Sequence, residues 1–340
     1  MKFGANVLKR RELLLGITIL LFLVANSLLA PSFLTYSNIM SLLKSFTVLG
    51  IFSLGVLMVI ISGGVDVSFT AIAQVVQYAV VYLFLHGMKG NIFLAFFFAI
   101  ILGTLLGLFN GYLIHRFNMP AIIITIATQN LFYGLMYVIT KGKLIYVIPD
   151  YFWKISNTML FKQIAAGGAT SGLSVTTVIW LVMALLMGWI LRKTVLGRSI
   201  YMIGGNPIAT QRIGVHSGNV LLFVYGGMGA IAAIGGVVHV SIVNTVIPNS
   251  IVGQELQVIA AVILGGASIT GGRGTVLGTF LGVLLFAILS NSLTLLQISS
   301  YWYNVFTGCI ILFSVLLNAI QEMQQAKQKI RVRVESAQTA

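Results

Sequence analysis

The chain has 340 residues, of which 58% are hydrophobic and only 8% charged, and it carries a formal net charge of +14. Apolar runs of membrane-spanning length recur from end to end, so the composition excludes a water-soluble enzyme and predicts an all-α polytopic membrane protein. Its single cysteine, Cys309, excludes an internal disulfide and a multi-thiolate metal site.

The first apolar run, Leu13 to Ala30, follows Lys9-Arg10-Arg11. At about 18 residues it exceeds a signal-peptide core, and Pro31-Ser32-Phe33 lacks a small-x-small cleavage pattern, so it reads as a retained first span. Ten spans follow from the same reading: 13–30, 39–61, 69–85, 92–114, 121–140, 173–191, 219–242, 254–270, 275–296 and 304–319. With both termini inside, fourteen of the twenty Lys and Arg fall in cytoplasmic segments, the asymmetry of the positive-inside rule. The basic tail at 320–340 is then a solvated, lipid-facing cluster and needs no nucleic acid.

Between the second and third runs stands Ser62-Gly-Gly-Val-Asp-Val-Ser68. A carboxylate inside the bilayer demands a partner or a job. Two glycines free the backbone there, and Asp66 or Ser68 is expected to accept from the open N–H groups of the next helix; lining a solute path is the alternative. Gln74 and Gln77 follow on one helical face, suited to a polyol or to neighbouring helices.

Leu102-Gly-Thr-Leu-Leu-Gly107 in the fourth span recurs as Leu277-Gly-Thr-Phe-Leu-Gly282 in the ninth, which runs the opposite way. That is the pattern of an inverted repeat, with halves at about 39–140 and 219–319 inside one domain spanning 1–340; the alternative is coincidence among small residues common in membrane helices. A long outer loop, 141–172, gathers four lysines and Tyr151-Phe152-Trp153, as an interfacial anchor or a landing surface for an external protein.

The segment 192–218 is a polar, glycine-punctuated island. Asn206 followed by Pro207 predicts a capped short helix on the cytoplasmic face, a docking element. Glu255 reads as an interfacial first-turn acid at the outer start of the eighth span. The glycine-dense turn 265–274 implies close backbone approach or positive φ. The four histidines have no metal-ligand spacing, and there is no complete phosphate loop, so no cofactor is expected on this chain. If ATP is used, a separate chain binds it.

Three stretches then carry a resemblance. Ser62–Ser68, Gly197-Arg198 with Gly204-Gly-Asn-Pro207 and Ala209, and Ile259-Ala-Ala-Val-Ile-Leu-Gly-Gly266 running on to Gly271-Gly-Arg-Gly274 resemble the signatures of ribose-type ABC permeases. Met119-Pro-Ala-Ile-Ile-Ile-Thr125 is similar to a fourth. Phe69-Thr70, Ile208, Thr210 and Gln257 depart from that family's pattern.

The resemblance implies a type II ABC importer-like fold of ten spans in a bacterial inner membrane. It also implies a second permease as homo- or heterodimer partner, a cytoplasmic ABC ATPase holding ATP and Mg, and an extracytoplasmic sugar-binding protein. Gly197, Arg198, Gly204, Gly205, Asn206, Pro207, Ala209 and Gly214 would then form the ATPase-coupling segment. Asp66, Ser68, Gln74, Gln77, Asn110, Thr125 and Asn130 are the candidate substrate path; the scarcity of charge and the Gln, Asn, Ser and Thr within spans suit an uncharged hydroxylated solute. An ion-coupled secondary transporter and a non-transporting structural subunit are the competing classes; the first needs intramembrane carboxylates, and Asp66 is nearly alone.

Overall fold

The computed structural model describes residues 2–164, 170–299, 301–312 and 316, with side chains from Glu12 onward. It is an all-α membrane bundle whose only sheet among these residues is a two-stranded hairpin. Seven helices are long and apolar enough to cross a membrane, and an eighth crossing arises if one bent pair is counted as a single span. The bent pair is α2 (Tyr36–Ser45) and α3 (Thr47–Ile61), which meet at 47° around Phe46.

Helix α1 (Lys2–Leu29) packs beside the last long helix and ties to it where Thr275 Oγ1 donates to Glu12 Oε1 at 2.5 Å. Every residue of α3 is buried, as expected of a helix apolar on all sides. Then come α4 (Phe69–His86), α5 (Ile92–Phe117) and α6 (Ala121–Thr140). Asn91 caps α5 by accepting from Leu94 N at 2.9 Å.

The outer loop of the sequence is ordered into α7 (Asp150–Asn157) and the antiparallel strands β1 (Met159–Ile164) and β2 (Thr170–Ser174). Helix α8 (Val175–Lys193) leads into α9 (Val195–Gly205) and α10 (Pro207–Arg212). Helix α11 (Ser217–Val243) crosses fully, α12 (Glu255–Leu264) has ten residues, and α13 (Val276–Leu295) follows. Residues 301–312 and 316 are helical, and the other positions of the expected tenth span, like the basic tail, lie outside the described residues.

The eighth span differs from its expectation. A helix of ten residues is about 15 Å long, half a hydrocarbon core. It stops early because Gly265-Gly266 forms a Schellman end: Gly266, at φ 93°, donates to Ile263 O, and Ala267 N donates to Val262 O. Helix α3 stops the same way, with Gly63 at φ 88° donating to Ile60 O and Gly64 N to Val59 O. The run 254–270 is therefore a half-crossing plus a loop.

The core is built on bare backbone contacts. A Cβ on Gly107 would collide with the Tyr225 carbonyl, and one on Gly229 with the Gly103 carbonyl, so α5 and α11 meet glycine to backbone. The second Leu-Gly-Thr motif does likewise, Gly278 and Gly282 of α13 lying on the carbonyls of Gly265 and Ala261 at the end of α12.

Candidate functional site

The loop 62–68 hangs between α3 and α4 in the interior. Asp66, 1% exposed, accepts at Oδ1 from Ser68 N at 2.7 Å and from Ser68 Oγ at 2.6 Å. Asn110 Nδ2 of α5 donates to Ser68 Oγ at 2.7 Å, and Thr125 Oγ1 of α6 takes Val67 N at 3.4 Å while donating to Val65 O at 3.3 Å. Asn110 lies seven residues from the end of α5 and Thr125 four from the start of α6. At 1.5 Å per residue the loop thus sits roughly 6–10 Å inside the bundle, and the carboxylate holds the exposed backbone at the start of α4.

A second segment enters from the opposite end. Val246 pairs with Ile145 in the loop before α7, after which 247–254 descends beside α4. Gln74 grips it at two points, donating to Ile247 O at 2.8 Å and accepting from Ile251 N at 3.1 Å. Glu255 opens α12 at the foot of this strap as the first-turn acid that the sequence predicts, and it is buried, 8% exposed. Its Oε1 accepts from Thr70 Oγ1, from Gln129 Nε2 at 2.7 Å and from Gly253 N at 3.1 Å. One carboxylate so fastens α4, α6 and α12 together. Burial of a charge is tolerable only with such partners.

Of the sequence-derived path residues, the structure gathers Asp66, Ser68, Asn110 and Thr125 around one loop and puts Gln74 on the strap. Gln77 faces α11, where its Oε1 meets His239 Nδ1 at 3.0 Å. Asn130 is exposed and donates to Ile126 O of its own helix. Gln129 was not marked by the sequence, and Thr70 stood out only as a departure from the family's pattern. Gln129 had a faint signal, standing four residues after Thr125 on the same face of α6.

The island resolves into two helices. Thr194 caps α9 by accepting from Gly197 N at 2.9 Å, and Gly197 presses on the Ile190 and Leu191 carbonyls at the α8 corner. Asn206 caps α10 by accepting from Ala209 N at 3.0 Å with Pro207 at the first helical position, the arrangement its sequence predicts. Gly205 through Ala209 are exposed. Arg198 lies in the second turn of α9, whereas Gly214, at φ 84°, turns the chain toward α11 with open space around it.

Beneath this exposed ledge the three signature stretches meet. Gly272 N donates to Ile61 O at 2.8 Å, and Tyr201 Oη donates to Gly274 O at 2.7 Å. A Cβ on Gly271 would stand 2.6 Å from Gly204 O and 2.8 Å from Gly63 Cα.

Residues 38–315 match the family model described as branched-chain amino acid transport system / permease component. The chain is 35% identical over 318 residues to the ribose import permease of Bacillus subtilis, covering 92% of this chain and 94% of that protein. It is 32% identical over 302 residues to the ribose import permease of Haemophilus influenzae, with 88% and 90% covered. The autoinducer 2 import system permease of Yersinia pseudotuberculosis is 31% identical over 275 residues, with 79% and 73% covered. No solved structure matches.

Proposed function

This chain belongs to the ribose-type ABC permease family, and from that premise we propose that it is the membrane subunit of an ATP-driven importer for a monosaccharide or similar small polyol. The observation that carries the reading is the ledge α9–α10. It is a rigidly capped, solvent-facing element resting on the two interior breaks of the bundle, the arrangement needed to pass motion inward from a docked protein. In this reading a separate ABC ATPase grips Gly205 to Ala209 and holds ATP and Mg, while this chain does no covalent chemistry. The end with α7 and the hairpin faces outward to a sugar-binding protein. Both termini are cytoplasmic, the bilayer is a bacterial plasma membrane, and a second permease completes the path. The two Leu-Gly-Thr motifs belong to an inverted repeat, each laying its glycines on a neighbouring backbone.

The chemistry of the interior supports an uncharged solute. Asp66 Oδ1 and Glu255 already accept hydrogen bonds at helix starts, and among the described residues no three His, Cys, Asp or Glu side chains gather as an ion cage would require. Alternation between two conformations is then driven by differential binding of the ATPase to each. The test is uptake into proteoliposomes containing the chain, its ATPase and its binding protein. ATP drives accumulation of labelled ribose or a related sugar, whereas a proton or sodium gradient alone does not. Uptake on a gradient without ATPase overturns the assignment.

A further inference from the structure

Three segments far apart in the chain touch at a point made almost wholly of glycine. Gly204 and Gly205 end α9, Gly63 follows α3, and Gly271-Gly272 lie in the loop between α12 and α13. A Cβ on Gly204 would collide with Ile61 O and stand 2.6 Å from Gly272 N; one on Gly272 would stand 2.9 Å from Gly205 Cα. Gly63, Gly271 and Gly272 also have φ of 88°, 86° and 71°, so conformation and space both demand glycine. Two hydrogen bonds cross the contact, Gly272 N to Ile61 O and Tyr201 Oη to Gly274 O.

Where glycine lies on glycine there is no side chain between the two backbones to change rotamer and absorb a displacement, and close-packed matter transmits strain. Each partner segment leads directly to a helix start. From Gly63 the chain runs three residues to Asp66 and the opening of α4; from Gly272 it runs three residues to Thr275, which caps α13 by accepting from Gly278 N at 3.0 Å. The alternative route, from α10 into α11, crosses the open turn at Gly214 and is tied by an exposed side-chain hydrogen bond, Gln211 Nε2 to Ser217 Oγ at 3.1 Å, not by backbone on backbone.

We propose that this glycine junction is the linkage that carries movement of the ATPase-docking ledge to both interior breaks at once, with Gly204 as its central positioning residue and Tyr201 as its tie. The proposal rests on the importer reading above. It predicts that coupling runs through α9 into α4 and α13 together, not through α11.

The experiment compares ATP hydrolysed per labelled ribose taken up in proteoliposomes holding the permease, its ATPase and its binding protein. Gly204→Ala, whose added Cβ collides with Ile61 O beneath the exposed ledge, raises that ratio at least tenfold. Tyr201→Phe, which removes one hydrogen bond and adds no bulk, raises it about threefold. Gly188→Ala in α8, where an added Cβ meets nothing within 4 Å, leaves it unchanged. Should Gly204→Ala fail to insert, Tyr201→Phe decides alone. A wild-type ratio in every variant that inserts, with normal ATPase retention, overturns the junction. A wild-type complex with no ATP-dependent uptake sinks the importer reading itself, a result the variants cannot mimic.

Discussion

Asp66 and Glu255 stand at two helix starts as hydrogen-bond acceptors: Asp66 takes Ser68 N and Ser68 Oγ at the opening of α4, and Glu255 takes Gly253 N just before α12 together with Thr70 Oγ1 of α4 and Gln129 Nε2 of α6. What such a site needs is an acceptor oxygen more than a full charge. Asp66→Asn, keeping Oδ1, is therefore expected to retain most uptake and expression, while Asp66→Ala loses about 1 kcal/mol or more. Equal, near-complete loss of uptake in both variants at normal expression would show that the charge itself is required. At Glu255 the same logic is sharper because three donors converge. Glu255→Gln is expected to cost about 1 kcal/mol, and Glu255→Leu about 2–3 kcal/mol through the orphaned Gln129 and Gly253 donors. Thermal unfolding of the detergent-purified chain measures both. The role of Asp66 was legible from Gly63-Gly64 beside it. That of Glu255 was not, because its donors Thr70 and Gln129 come from helices more than a hundred residues away.

Among the elements, the full crossings were plain in the sequence: 121–140 coincides with α6, and 69–85, 92–114, 219–242 and 275–296 fall within or close to α4, α5, α11 and α13. Hydropathy reports apolar length, and these helices are long and apolar. It says nothing of where a helix stops, so the Schellman ends of α3 and α12, the bend at Phe46 and the folding of 150–164 and 170–174 into a helix and two paired strands appear only in the structure. Helix α10 was legible because its cap and proline are local. Its stability is correspondingly local: Asn206→Ala is expected to remove about 1 kcal/mol from a six-residue helix, enough to fray it. ATP hydrolysis should then proceed with reduced uptake, while Asn206→Asp behaves as wild type; the same coupled assay reads both. For the α5–α11 contact, Gly107→Val must push two backbones apart and is expected to abolish the folded monodisperse species in size-exclusion chromatography. Gly188→Val in α8 should elute normally, since nothing lies near it.

At the scale of the whole molecule the chain is a cage of full-length helices around two breaks, with a ledge at one end and a strap entering from the other. The strap and half-length α12 carry a consequence for how the protein is made. An insertion machinery that recognises about twenty apolar residues has too little in ten, so α12 is not threaded as an independent crossing when it emerges. It has nowhere stable to sit until α13, whose Gly278 and Gly282 receive it, has been synthesised. A reporter fused to a chain truncated at Ser268 should accordingly report the same side as one fused at Asn249. A reporter inserted at Ser268 of the full-length chain should report the opposite side. Those two results together would show a crossing completed backwards, the later helix drawing the earlier segment into the bilayer after both have left the ribosome.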